Sequence, residues 1–135
     1  MNDTTVTKRP VVRSISRTMS WIRWSARIAS IEDVERRKSI AYVAFPDEER
    51  AWKFYHAVTK RRPDWKWKPL PQQEGQRFHD GRGLCKPRKS ERLTDYPYEV
   101  KWHYPDWQFV RGLIAWDNGN DLLGYELTEA AYNNR

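Results

Sequence analysis

Two stretches of the chain interleave flat rings with cations: Trp21-Ile22-Arg23-Trp24 and Arg61-Arg62-Pro63-Asp64-Trp65-Lys66-Trp67-Lys68. Single-stranded nucleic acids require these two ingredients. Cations follow the phosphates, and ring faces stack on bases at about 1 to 3 kcal/mol each. In an extended segment Trp65 and Trp67 point one way and Lys66 and Lys68 the other, so one surface cannot present both groups there. The competing reading makes both rings core residues with the lysines in water.

A second source of chemistry is the segment 71–95, where Arg77, Arg82, Lys86, Arg88, Lys89 and Arg92 stand among Gly75, Gly81 and Gly83, opposed by Glu74, Asp80 and Glu91. Glycine lets a backbone approach phosphate closely, and a basic loop can order on a polyanion; the plainer reading is a solvated surface loop. Gly81-Arg82-Gly83-Leu84-Cys85-Lys86 has neither the length nor the closing Lys-Ser/Thr pair of a nucleotide phosphate loop.

Catalysis finds less support. His79, Asp80 and Cys85 share this loop, and a Cys beside a His can form a nucleophile pair, but no motif surrounds them and a long loop holds such a geometry poorly. His103 near Asp106, and His56, are isolated candidates for a general base without the partners a catalytic set needs. A lone Cys85 forms no internal disulfide, and three scattered histidines lack zinc-ligand spacing. No catalytic residue, metal or cofactor is therefore expected.

Charge and composition narrow the class. The net charge is +7, with the excess in the first 101 residues and an acidic last quarter, which favours a polyanionic partner. Leu, Ile, Val and Phe together fall just under the fraction, about one-fifth, at which disorder becomes an option. Eight Trp and seven Tyr supply the missing buriable surface, so a folded domain with a ring-rich core is expected. No run is long and apolar enough to span a membrane, and the N-terminus lacks the apolar stretch of a secretory signal, so the chain reads as a cytoplasmic protein.

These residues need elements to hold them. Residues 1–18 read as a flexible basic arm. From Met19, Ile22, Trp24, Ala26 and Ile28 alternate with Arg23, Ser25 and Arg27, the period of a half-buried strand. A charged connection leads to a second strand, Ser39 to Phe45, and the two form an antiparallel hairpin. Helix 46–62 has the strongest signals: Pro46 and three acidic residues at its start, Lys60, Arg61 and Arg62 at its end, and Pro63 as a stop. Its wet face carries Lys53, His56 and Lys60. A short strand, Trp65 to Leu70, precedes the loop 71–95, and Tyr98, Val100 and Trp102 alternate in another strand. Residues 106–116 fit a helix through Phe109, Leu113 and Trp116, yet Asp117-Asn118-Gly119-Asn120 is a good hairpin turn, and the hairpin is favoured. Pro63-Asp64-Trp65 and Pro105-Asp106-Trp107 are read as two similar turns, and the end, 130–135, should fray.

The expected architecture is α+β: an antiparallel sheet of about five strands with one principal helix on one face, in the order ββαβ followed by two or three strands, forming one domain over 19–129. The expected function is non-enzymatic nucleic-acid binding with modest sequence specificity. Its site would comprise Lys53, His56, Lys60, Arg61, Arg62, Trp65, Lys66, Arg77, Arg82, Lys86, Arg88 and Lys89, its ligand RNA or DNA, single-stranded by preference. The rival is a small interaction module that docks on an acidic protein through exposed Trp and Arg.

Overall fold

The first described segment already departs from the sequence expectation. Residues 17–34, 38–67 and 83–133 of the chain are described in the computed structural model. Arg17–Ser25 is a helix, α1, where alternation predicted a strand from Met19. Met19 and Ile22 are fully buried and Ala26 nearly so, at helical spacing. The two periods compete over the same residues: a strand would bury Trp24 and expose Met19, whereas a helix turns Trp24 about 200° from Ile22 and reverses both fates.

From Arg27 the chain forms the expected antiparallel hairpin, but its first strand takes in Glu32 and Asp33, which were expected in the charged connection. Strand β1 (Arg27–Val34) runs antiparallel to β2 (Lys38–Phe45), with a register shift between Ile28 and Ser30. The far side of β2 pairs antiparallel with β5 (Tyr98–His103), from Ile40 opposite His103 to Phe45 opposite Tyr98. Two short strands inside the predicted loop, β3 (Gly83–Leu84) and β4 (Arg88–Lys89), pair with opposite ends of β5. The sheet order is therefore β1-β2-β5-β3, with β4 also against β5.

Gly83 explains how the chain enters that edge. Its φ is +105°, and a Cβ there would stand 2.8 Å from the Lys66 carbonyl oxygen, so no side chain is accommodated. The predicted strand from Trp65 is instead a 3-10 turn, Pro63–Trp65, followed by a parallel bridge between Lys66 and Leu84. Residues 68–82, and with them the first part of the predicted loop, lie outside the described residues, as does nearly all of the predicted arm.

Helix α2 (Glu48–Arg61) follows its local signals. The Asp47 side chain accepts the Arg50 N–H at 2.8 Å, Glu48 and Glu49 occupy the positive end, and Lys60 and Arg61 the negative end. Ala51, Phe54, Tyr55 and Val58 form its buried face against the sheet.

The predicted C-terminal hairpin is a pair of helices, α3 (Trp107–Asp117) and α4 (Asp121–Asn133). The described residues thus form an α+β fold with four helices and a five-stranded sheet, rather than a sheet dominated by one helix. The physical reason lies in the turn, whose residues serve either connection. Gly119, with φ +84°, ends α3, and the Asn120 side chain accepts the Leu123 N–H at 3.3 Å to start α4. Asp106 caps α3 in the same way, accepting the Phe109 N–H at 3.1 Å. Within the stretch expected to fray, α4 continues to Asn133 with Ala131 and Tyr132 buried, and residues 134–135 lie outside the described residues.

The helices meet the sheet through rings. Trp65, Trp102 and Phe109 form a cluster with centroids 5.1 to 5.8 Å apart, and Phe54 sits 4.9 Å from Phe45. Such pairs add about 0.5 to 1.5 kcal/mol each beyond the burial of their area, which compensates for the scarcity of aliphatic residues.

Candidate nucleic-acid interface

Spacing and solvent place three candidates on one exposed face of α2, with a fourth exposed at its end. Lys53, His56 and Lys60 recur at helical spacing, and Arg61 follows at the C-terminal end, where the last carbonyls favour cations. Three of the four have a partner. The Lys53 ammonium lies 4.6 Å from the Trp21 ring centroid, and His56 stacks on Trp52 at 5.3 Å. Arg61 donates to the Asn133 side chain at 3.0 Å.

Beside this face, α1 and α2 enclose an open groove of about 510 Å³, lined by Arg17, Thr18, Ser20, Trp21, Trp24, Lys53 and Ala57. Trp21 stacks nearly parallel on Phe45, at 6.4 Å and 13°, which anchors its ring to the core. Trp24 is 69% exposed. The Arg23 guanidinium lies 4.0 Å from the Trp24 centroid and is held in turn by both carboxylate oxygens of Asp121, at 2.8 and 2.7 Å. Rings and cations thus meet in one concave place, where a planar apolar group could lie on an indole while a neighbouring anion meets Arg17 or Lys53. A second hollow of about 430 Å³, at the C-terminal end of α2, is lined by Lys60, Arg61, Arg62, Pro63 and Asp64.

The ring-and-cation segment at 21–24 was visible in the sequence, yet Arg17, Trp21 and Trp24 were not among its predicted site residues. A strand reading turned Trp24 inward beside Ile22. The signal that could have found it is the burial of Met19, which only helical spacing explains.

Two predicted site residues belong to the framework. Arg62 is 9% exposed; its guanidinium pairs with Asp64 at 2.8 and 3.0 Å and donates to the Ala131 carbonyl at 2.6 Å. The hydrogen bond it donates to Asp64 raises its already high pKa, against the opposing effect of burial. Trp65 is 6% exposed within the ring cluster and offers no free face to a base.

The remaining candidates divide. Lys66, Lys86, Arg88 and Lys89 are exposed along the β5 edge of the sheet. Glu99, 1% exposed, draws on this group: its carboxylate accepts from Arg92 at 3.2 Å and lies 3.8 Å from Arg88. Arg92 also covers the Tyr42 ring at 3.7 Å, and burial, then the Glu32 charge, raises the pKa of that phenol. Arg77 and Arg82 lie outside the described residues.

Of the residues weighed for catalysis, Asp106 caps α3, His103 is buried in β5, His56 stacks on Trp52 and the Cys85 N–H donates to the Lys101 carbonyl at 2.8 Å, while His79 and Asp80 lie outside the described residues. Among the described residues no group of three or more His, Cys, Asp or Glu could hold a metal ion, and no helix is long and apolar enough to cross a membrane.

Compared with protein-family models, curated proteins and solved structures, the chain matches none.

Proposed function

We propose that the chain is a non-enzymatic nucleic-acid-binding domain whose interface is the α1/α2 groove together with the exposed α2 face, Lys53, His56, Lys60 and Arg61. The observation that carries this reading is the meeting of Trp21 and Trp24 with Arg17 and Lys53 in one groove on a chain of net charge +7. Phosphate neutralisation supplies the affinity and the rings supply contacts that every base can make, so sequence preference is modest. RNA and DNA are both ligands of this chemistry.

Labelled single-stranded and duplex oligonucleotides, titrated at several salt concentrations with Trp fluorescence followed in parallel, test the reading. Binding is expected to weaken linearly in log salt and to quench the indoles. Absence of binding at low salt overturns it.

The second reading, docking on an acidic protein, is favoured by one feature: Leu122 and Leu123 are exposed next to Asp121, the residue that ties α4 to Arg23 and Trp24. An interface of that kind requires a discrete complex that depends on one or two residues rather than binding to unrelated polyanions.

A further inference from the structure

Resting on the nucleic-acid reading, we infer that Trp24 is a pre-oriented platform for one unpaired base, with Asp121 as its positioning residue, and that this device selects single strands over duplex. The chain buries Trp65, Trp102 and Trp116 and leaves the Trp24 indole 69% exposed. Exposure alone is ordinary for a surface ring; the arrangement around this one is not.

One face of the indole is covered. The Arg23 guanidinium sits 4.0 Å from its centroid, and that guanidinium is fixed by Nε at 3.2 Å and by its terminal nitrogen at 2.8 and 2.7 Å to the Asp121 carboxylate. The pair is itself sheltered, with side chains 18% and 26% exposed. Trp24 lines the groove together with Arg17 and Lys53, and most of its indole stays open to solvent. A base stacked on the face opposite the guanidinium completes a layered arrangement of guanidinium, indole and base, in which both protein layers are ordered before the ligand arrives. Pre-ordering lowers the entropic cost of binding, and guanidinium planes and aromatic rings are the surfaces on which unpaired bases stack.

Selection follows from which faces a ligand can offer. In a duplex every base face is already covered by its neighbours, so reaching Trp24 requires unstacking. A single strand turns out a base without that cost, while Arg17 and Lys53, on the same groove, receive the flanking phosphates. Stacking tolerates all four bases, so the platform distinguishes strandedness rather than sequence.

The test compares a labelled 12-nucleotide oligothymidylate with a 12-base-pair duplex, using the full chain and its Trp24→Ala, Trp24→Phe, Asp121→Asn and Asp121→Glu variants, each checked by thermal melting. Trp24→Ala is expected to weaken single-strand binding about 5- to 100-fold, as the loss of one stacked base requires. Duplex affinity and the salt slope stay unchanged, and Trp24→Phe retains most of the affinity. Asp121→Asn lowers the single-strand to duplex ratio at constant salt slope, and Asp121→Glu restores it; a merely structural role would move melting temperature and not this ratio. Single-strand affinity within about twofold of wild type in Trp24→Ala, or equal losses on both ligands, overturns the platform while leaving nucleic-acid binding in place. Failure of the unaltered chain to bind either oligonucleotide at low salt overturns both.

Discussion

The Arg62 guanidinium donates to the Ala131 main-chain oxygen at 2.6 Å, so a residue from the most basic run of the chain fastens the end of α2 to the end of α4. Its neighbour Arg61 faces solvent. Arg62→Ala is expected to cost about 2 to 3 kcal/mol, because a buried carbonyl loses a charged donor and Trp65 loses its covering guanidinium. Chemical denaturation should show a lower midpoint at unchanged slope, while the oligonucleotide affinity of the folded variant stays at the wild-type value.

Arg61 and Lys60 should behave in the opposite way. Both stand exposed on α2, and neutralised phosphates set the salt dependence of binding. Arg61→Ala and Lys60→Ala are each expected to reduce the slope of log affinity against log salt by about 0.7 on a single strand, with melting temperatures nearly unchanged. Polarisation titrations at four or five salt concentrations measure this directly.

Two glycines of the C-terminal helical pair separate lack of space from backbone conformation. A Cβ on Gly112 would come within 2.9 Å of the Gly124 carbonyl oxygen and the Thr128 nitrogen, backbone atoms that move only if the helices part. Gly112→Ala is expected to destabilise by about 1 to 3 kcal/mol or more. Gly119 has open space around it and a φ of +84°, so Gly119→Asn, which tolerates that conformation, should cost less than about 1 kcal/mol. Equal melting temperatures for the two variants would contradict this packing.

Asp117 provides a test by pH. Partial burial raises its carboxyl pKa above the ordinary 3.8, against the stabilising effect of the Ile28 N–H that it accepts at 2.9 Å. Its place at the C-terminal end of α3 acts in the same direction. The folded state therefore holds this proton more tightly than the unfolded state, and stability falls as pH rises through the interval between the two values. Asp117→Asn keeps a carbonyl acceptor for Ile28 and removes the charge. It should raise the melting temperature at pH 7, with the gain shrinking as pH is lowered toward the ordinary value of 3.8. A gain that is independent of pH would show that ionisation is not its source.

How much of the molecule was legible in its sequence depended on the range of the forces involved. Helix α2 was readable because its signals act within a few residues: Pro46 and acids at the start, cations in the last turn, Pro63 beyond. Strands β2 and β5 were readable for a similar reason, since a period of two requires only a sheet with one inner face, whereas the alternation read from Ile22 to Ile28 falls largely in α1. The turn at 117–120 was read correctly as a turn and assigned to the wrong elements, because a left-handed glycine flanked by Asn suits a strand connection and a helix connection alike.

The site divides along the same line. Composition and spacing by themselves determined that the chain is basic and ring-rich, and that Lys53, His56 and Lys60 share a wet helical face. Which rings and cations would be free was decided only by the tertiary structure. Arg62 and Trp65 carry the same chemistry as Arg61 and Trp24, but Ala131, Trp102 and Phe109, brought in from remote parts of the chain, take up the first pair. The Arg23–Asp121 pair that holds the Trp24 platform joins residues 98 positions apart. Local propensity acts over a turn or two, and whether a side chain faces the core or the solvent is settled by partners that only folding brings within reach.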